Sequence, residues 1–165
     1  GSGSVSVTNS TFKDIASGSD GGAIYADSGS VTVINSIFDN TQLTKGSGNG
    51  GGAIGSSNGK INVINSIFNN TQSNGGQGGG AIWNHMGSVT VTGSSFINTI
   101  SSGAGGAFWT YGGIIIVSNS NFIDTKSLGT YTNEGGAIWS GPGSVTIIDS
   151  KFKNCQAKKG ADIYS

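Results

Sequence analysis

The sequence contains no arginine and has only one cysteine, one proline and one histidine. Its eight lysines balance eight acidic residues, so it lacks the basic surplus that attracts nucleic acid or an anionic membrane. One cysteine is too few for an internal disulfide framework. No apolar run is long enough to cross a bilayer. We therefore expect no nucleic-acid partner, no disulfide scaffold and no membrane span. The balanced charge favours uncharged partners over charged ones.

Glycine, by contrast, is abundant, with 31 among the 165 residues, and it recurs in a repeated motif. One copy reads GGAIWNHMGSVTVTGSSFINT. The copies begin at Gly21, Gly51, Gly79, Gly105 and Gly135, and a degenerate copy begins at Gly160. The period varies between 25 and 30 residues. An internal repeat of this length is typical of a solenoid, in which each repeat forms one turn of the chain.

The spacing inside the repeat is constant in one part and variable in another. The first apolar residue of the middle segment always lies ten residues after the glycine pair, and a phenylalanine always follows seven residues later, as in Gly79, Val89 and Phe96. All variation in length falls between that phenylalanine and the next glycine pair. Stacked coils require this arrangement, because each strand must meet its copy above and below while insertions collect at one corner.

Each repeat contains three short extended segments, which are the GGAI(W/Y) segment, a VTV-like segment and an SxF-N segment. Apolar residues two apart, as in Val89 and Val91, have the period of a strand with one buried face, and helical spacing is absent. The sequence therefore predicts an all-β fold, a single-stranded parallel β-helix (solenoid) with three strands per coil and about six partial coils of 25–30 residues. Residues 1–165 are interpreted as a single β-helix domain, a fragment of a longer repeat protein in which Gly1 and Ser2 are a cloning remnant.

Columns of like residues should fill the lumen of such a helix. The isoleucines at the fourth motif position, the valines and the six phenylalanines from Phe12 to Phe152 form three of these columns. A glycine recurs before each valine segment, as at Gly87, and a backbone with positive φ is the expected reason. Asparagine or aspartate recurs in two rows, one through Asn65 and one through Asn70. We expect both rows to face inward and to hydrogen-bond their copies at corners, without forming a calcium or sugar site.

The fifth motif position carries an aromatic side chain in most repeats. The residues there are Tyr25, Gly55, Trp83, Trp109, Trp139 and Tyr164. Since this position alternates with the buried isoleucine, its side chain should point away from the lumen; an inward position would leave a hole at Gly55 that costs about 3 to 5 kcal/mol. We predict an outward aromatic stripe whose five rings contact a glycan or a protein partner. Two alternatives carry more weight than partner contact: the rings can simply stabilise one another, or variable loops, such as those from Leu43 and Ser127, can cover them.

Groups suited to catalysis or metal binding do not gather in one place. The eight acidic residues are mostly one per coil, whereas β-helix enzymes that act on polysaccharides need paired carboxylates or calcium-bound acids in a cleft. His85 is expected to be a solvated loop residue without partners for a metal shell, and Cys155 takes the place of a threonine in its column. We predict no catalytic residue, no metal site and no cofactor.

The glycine and phenylalanine motifs together resemble the right-handed parallel β-helix repeats of the polymorphic membrane protein and adhesin-like family. The resemblance rests on five copies of GGA(I/F) followed by a phenylalanine motif, and it covers almost the whole chain. That family usually has F-x-x-N, whereas this sequence has F-x-(N/D), as in Phe68-Asn69-Asn70. The resemblance implies an extracellular or cell-surface location, an adhesive or structural role, and no catalytic residues to carry over.

A non-enzymatic adhesin-like, fibre or stalk segment is therefore the leading expectation, with an extracellular glycan or a surface protein as partner. Both ends lie inside coils in this interpretation, so head-to-tail self-association is a further expectation. The competing classes are a carbohydrate-active β-helix module of the lyase or hydrolase type and an ice-binding β-helix. Ice binding would need a regular outward array of threonines, and only Thr90 and Thr92 form a threonine pair on one coil.

Overall fold

The computed structural model describes residues 3–45, 50–130 and 133–165. The interpretation of Gly1 and Ser2 as a remnant lies outside these residues, as do parts of the loops that begin at Leu43 and Ser127. The described chain is all-β, and its strands pair in parallel. Within those three ranges, no element is a helix of the length and apolarity that a bilayer crossing requires.

The strands are short and are numbered along the chain. They are β1 (Val5–Thr8), β2 (Thr11–Ser17), β3 (Ile24–Ala26), β4 (Ser30–Ile34), β5 (Ile37–Leu43), β6 (Ile54–Ser56), β7 (Lys60–Ile64), β8 (Ile67–Asn69), β9 (Gln72–Ser73), β10 (Ile82–Asn84), β11 (Ser88–Thr92), β12 (Ser95–Ile97), β13 (Ile100–Ser101), β14 (Phe108–Thr110), β15 (Ile114–Ser118), β16 (Asn121–Ile123), β17 (Lys126–Ser127), β18 (Ile138–Ser140), β19 (Ser144–Ile148), β20 (Lys151–Lys153) and β21 (Ile163–Tyr164).

Three parallel sheets build the coil. The valine sheet has the order β1-β4-β7-β11-β15-β19, and the tryptophan sheet has the order β3-β6-β10-β14-β18-β21. The phenylalanine sheet contains the other nine strands, because in three coils its strand is split in two, as into β8 and β9. Every strand pairs with its copies one coil away, which confirms the predicted parallel β-helix of about six coils.

The register of the sheets aligns like residues in columns, as the constant spacing predicted. Phe96 pairs with Phe68 on one side and with Phe122 on the other, and Ile82 pairs with Ile54. Neighbouring phenylalanine rings of this column stack with their centroids between 4.7 and 5.1 Å apart. These columns form one contiguous apolar core inside the coil. The lumen is therefore filled by side chains and is not an open channel.

The asparagine and aspartate rows occupy left-handed corners and lie toward solvent. Their φ angles fall between 45° and 55°, and Gly93, which interrupts the first row, has a φ of 62°. The expectation that these side chains face inward is wrong, because Asn65 and Asn70 are exposed. Asparagine is present because it tolerates left-handed backbone better than other side chains. Bonds between copies do form in the second row, as from Asn40 Nδ2 to Asp14 Oδ1 at 2.8 Å.

The recurrent glycines are required by close packing of successive coils. Of the glycines before the valine segments, Gly87 has a positive φ of 147°, but Gly59 and its other copies do not, so the predicted reason is wrong for most of them. A side chain at Gly59 would collide with the carbonyl oxygen of Gly29 in the neighbouring coil. The second glycine of the GGA motif has the same role, since a side chain at Gly80 would collide with the carbonyl oxygen of Gly106.

Candidate functional site

The aromatic stripe lies outside the lumen, on the outer side of the tryptophan sheet. In β10, Ile82 belongs to the core cluster, whereas Trp83 belongs to a second cluster with Trp109 and Ala104. Trp109 pairs in register with both Trp83 and Trp139. The ring centroids are 5.8 Å apart for the first pair and 5.0 Å apart for the second. The structure thus brings the three tryptophans of the predicted site into one stack.

Two of these tryptophans are covered, so the prediction of a continuously exposed ladder is wrong at its centre. Trp83 and Trp109 are each 4 % exposed, and Ala104, which packs against them, is 2 % exposed. Ala104 lies in the connection between the phenylalanine and tryptophan sheets, where the repeats vary in length. The chain itself therefore covers part of the stripe, which is one of the alternatives that the sequence left open.

The two ends of the stripe differ from its centre. Tyr25 is 42 % exposed, and its ring lies over Gly55, where an added Cβ would meet a ring carbon at 3.0 Å. Tyr25 Oη is 2.7 Å from Ser57 Oγ, which holds the ring in this position. At the opposite end, Tyr164 pairs with Trp139, and both are half-buried. Gly55 therefore separates Tyr25 from the tryptophan stack.

A second aromatic column, which the sequence analysis missed, runs beside the tryptophans. His85 and Tyr111 stack with centroids 5.5 Å apart, and His85 lies 6.0 Å from Trp83 and 6.3 Å from Trp109. The expectation that His85 is a solvated loop residue is wrong, because the ring is half-buried among these aromatics. Both residues lie two positions after a tryptophan, so the repeat itself contained the signal that places them together.

Between the two aromatic columns, the surface opens into a cavity of about 450 Å³, which we call the aromatic notch. The notch is lined by Gln77, His85, Ala104, Trp109, Tyr111 and Trp139. Its volume falls within the range of about 300–1,000 Å³ that is usual for small-molecule sites. Aromatic residues form most of its lining, and Gln77 and His85 supply polar groups. Trp109 contributes only a ring edge, because its faces are stacked on Trp83 and Trp139. This combination suits a ring-shaped ligand that has an apolar face and hydroxyl groups around its edge.

A carboxylate outside the notch fixes the orientation of one of its walls. Trp139 Nε1 donates a hydrogen bond to Glu134 Oε2 at 3.0 Å, and Lys159 Nζ donates to Glu134 Oε1, also at 3.0 Å. The hydrogen bond from Lys159 lowers the pKa of Glu134, and the same contact raises the pKa of Lys159. Glu134 is therefore ionised at neutral pH. Its charged carboxylate accepts the hydrogen bond from Trp139 and so fixes the orientation of the indole.

The remaining reactive groups do not converge in the described part of the chain. Among residues 3–45, 50–130 and 133–165, no group of three or more His, Cys, Asp and Glu side chains is placed to hold a metal ion. Cys155 is buried next to the phenylalanine column, and its thiol lies 3.9 Å from the carbonyl oxygen of Phe122. Burial raises the pKa of this thiol, so the nucleophilic thiolate is scarce at neutral pH.

No family model matches the chain, and neither a curated protein nor a solved structure matches it. The fold defines the class, which is that of parallel β-helix repeat proteins. A β-helix alone does not identify the polymorphic membrane protein and adhesin-like family, because one fold serves many functions. The resemblance of the motifs to that family therefore stays a prediction.

Proposed function

We propose that the chain is a non-enzymatic, adhesin-like segment of a cell-surface or secreted protein, and that the aromatic notch binds a neutral glycan. The observation that carries this proposal is the notch, in which Trp109, Trp139 and Tyr111 surround a cavity of about 450 Å³ on a rigid stack of strands. The motif resemblance and the balanced charge of the chain support the location and the adhesive role.

Sugar rings fit the notch for two physical reasons. The face of a pyranose ring carries C–H groups that pack against an aromatic face, and its hydroxyl groups both donate and accept hydrogen bonds. The amide of Gln77 and the ring nitrogens of His85 lie at the same cavity and offer partners for such hydroxyls. An anionic ligand is disfavoured, because the described residues that line the notch include no lysine and the charge of Lys159 is paired with Glu134.

Catalysis is a weaker interpretation of this site. Glycoside hydrolysis requires two carboxyl groups on opposite sides of the scissile bond. In the part of the chain that the structure describes, no carboxylate lines the notch, and Glu134 beside it is hydrogen-bonded to Trp139 and Lys159. The notch therefore offers binding surface and orientation, but not an acid–base pair.

The test compares two tyrosines of matched exposure. Tyr111, 43 % exposed, lines the notch, whereas Tyr25, 42 % exposed, lies on the same side of the coil beyond Gly55. We expect wild-type protein to bind at least one member of a panel of neutral glucan, mannan, xylan and galactan oligosaccharides. Tyr111→Ala should reduce that affinity about tenfold, which corresponds to about 1.4 kcal/mol of lost stacking, and Tyr25→Ala should leave it unchanged. Isothermal titration calorimetry measures both.

Three results would contradict the proposal. Equal losses of affinity in the two tyrosine variants would assign binding to the whole stripe and not to the notch. If the wild-type protein binds none of the neutral oligosaccharides, the chain is better explained as a spacer or a protein-binding segment. Cleavage of any oligosaccharide by the wild-type protein would favour the carbohydrate-active alternative. Circular dichroism spectra and unfolding midpoints of all variants must match, so that lost binding reports the site and not the fold.

A further inference from the structure

A second concavity lies on a different part of the coil, where each strand of the phenylalanine sheet bends at an asparagine corner. Its volume is about 340 Å³, and we call it the amide groove. One wall is formed by Asn40, Asn70 and Asn98, and the other includes Gln42 and Gln72. The groove crosses four successive coils and thus runs along the axis of the helix, at right angles to the strands.

The backbone explains why the groove is concave. Asn40, Asn70 and Asn98 have φ angles of 54°, 52° and 50°, so each strand turns sharply at this position. The following residue of each coil points inward, as the buried Thr71 does, and the residue after that points outward again, as Gln72 does. The two outward rows therefore face each other across a row of buried threonines.

The amides of the groove do not use up their hydrogen-bonding capacity on one another. Asn98 Nδ2 donates to Asn70 Oδ1 at 3.3 Å, but Asn40 Oδ1 accepts from Gln42 Nε2 at 2.8 Å. Among the described side chains, no hydrogen bond joins Asn40 to Asn70, so the ladder is interrupted between these coils. The Nδ2 group of Asn70 can therefore still donate a hydrogen bond to a ligand, and Oε1 of Gln42 can still accept one.

The charge of the groove is balanced. Asp124 and Lys126 lie at the same end and contribute one negative and one positive charge, and the rest of the lining is neutral. This balance gives a polyanion no net attraction. The groove also lacks the row of backbone N–H and C=O groups that a sheet edge offers to an extended peptide, because it runs across the strands.

We propose that the amide groove binds a linear, neutral, polyhydroxylated chain, namely an oligosaccharide that lies along the helix axis. A hydroxyl group both donates and accepts, so it can pair with either end of an amide. On the first wall, Asn40, Asn70 and Asn98 repeat an amide in three successive coils at intervals of about 4.8 Å. On the second wall, Gln42 and Gln72 do so in two coils, before Ile100 and Lys126 take their place in the row. A chain of repeating sugar units along the helix axis therefore meets at least one amide in each of three successive coils. This site goes beyond the proposed function of the aromatic notch and does not depend on it, since none of the described residues lines both cavities.

Nuclear magnetic resonance of the side-chain amides gives a site-resolved test. Neutral glucan, mannan and xylan oligosaccharides of two and six units are titrated into the isotope-labelled protein. We expect a hexasaccharide to shift the amide signals of Gln42 and Gln72 and to bind at least tenfold more tightly than the disaccharide of the same sugar, because it spans more coils. An oligogalacturonate hexamer and a neutral unstructured peptide are the comparison ligands.

A matched pair of variants assigns the signal. Gln156 follows Lys126 in the same column, but it does not line the groove. The double variant Gln42→Ala/Gln72→Ala should weaken hexasaccharide binding at least tenfold, whereas Gln156→Ala should leave it unchanged. If the two substitutions act alike, the groove is not the site.

The comparison ligands separate this inference from the proposal for the notch. Shifts confined to the indole signal of Trp139 would overturn the groove and leave the aromatic notch in place. Tighter binding of oligogalacturonate or of the peptide than of every neutral oligosaccharide would also overturn the inference. Groove shifts that persist in Tyr111→Ala would support it even if the notch binds no sugar.

Discussion

Truncation of one ring at the centre of the phenylalanine column should have a large and position-dependent effect. Phe96 is fully buried, stacks on Phe68 at 4.7 Å and on Phe122 at 5.1 Å, and meets the edge of Phe108 at 4.6 Å. Phe→Ala changes in packed cores cost about 3–5 kcal/mol in total, and the three aromatic contacts of Phe96 place it at the upper end of that range. We therefore expect Phe96→Ala to lower the free energy of unfolding by about 4–5 kcal/mol.

Phe152 provides the matched control within the same column. It is half-buried and stacks on Phe122 at 4.7 Å. Phe152→Ala should therefore cost about 2 kcal/mol, since less apolar area and fewer contacts are lost. Urea denaturation followed by circular dichroism measures both values, provided that the slope of the transition stays the same. Equal losses for the two variants, or a loss below about 1 kcal/mol for Phe96→Ala, would refute the packing argument.

Three further perturbations test individual features. Because burial raises its thiol pKa, Cys155 should react with a soluble thiol reagent at pH 7 many times more slowly in the native than in the urea-unfolded protein, and equal rates would contradict its burial. The lowered pKa of Glu134 means that its stabilisation is present above the ordinary value of 4.5 and is lost as the pH falls through the folded value. Tryptophan emission should therefore titrate below pH 4.5, and a Glu134→Gln variant that keeps this transition would exclude the bond to Trp139 as its cause. Asn65→Ala should lower the unfolding free energy by about 1 kcal/mol and Asn65→Gly by less, measured by urea denaturation, because φ is 48° there; the reverse order would contradict the left-handed corner.

The fold was predictable because the repeat contains its own register. Constant distances from each glycine pair to the valine segment and to the phenylalanine leave one way to stack the coils, and the columns through Phe96 and Ile82 follow from it. The role of Gly59 was not predictable in the same way. A side chain is excluded at Gly59 because it would collide with the carbonyl oxygen of Gly29 in the neighbouring coil. Sequence spacing does not show how closely two backbones approach.

The aromatic site was predictable in direction but not in exposure. Alternation with Ile82 correctly placed Trp83 outside the lumen, since that inference needs only the period of a strand. Ala104, which covers the tryptophans, lies in a connection whose length varies between repeats. Because this connection has no regular spacing, the sequence does not predict that it folds over the rings. The burial of His85 depends on Tyr111 one coil away, so a reading of His85 within its own loop does not predict it.

The stacking of coils in register is the central claim, and disulfide trapping tests it most directly. On the outer side of the valine sheet, Asn62 pairs with Thr90 on one side and with Thr32 on the other. Registered partners in adjacent strands lie about 4.8 Å apart, within the range that a disulfide spans, whereas Thr32 and Thr90 are two coils apart at about twice that distance. In a Cys155→Thr background, paired cysteines at positions 62 and 90 should form an intramolecular disulfide under mild oxidation, and paired cysteines at positions 32 and 90 should stay reduced. Efficient cross-linking of the second pair, or none of the first, would contradict the account.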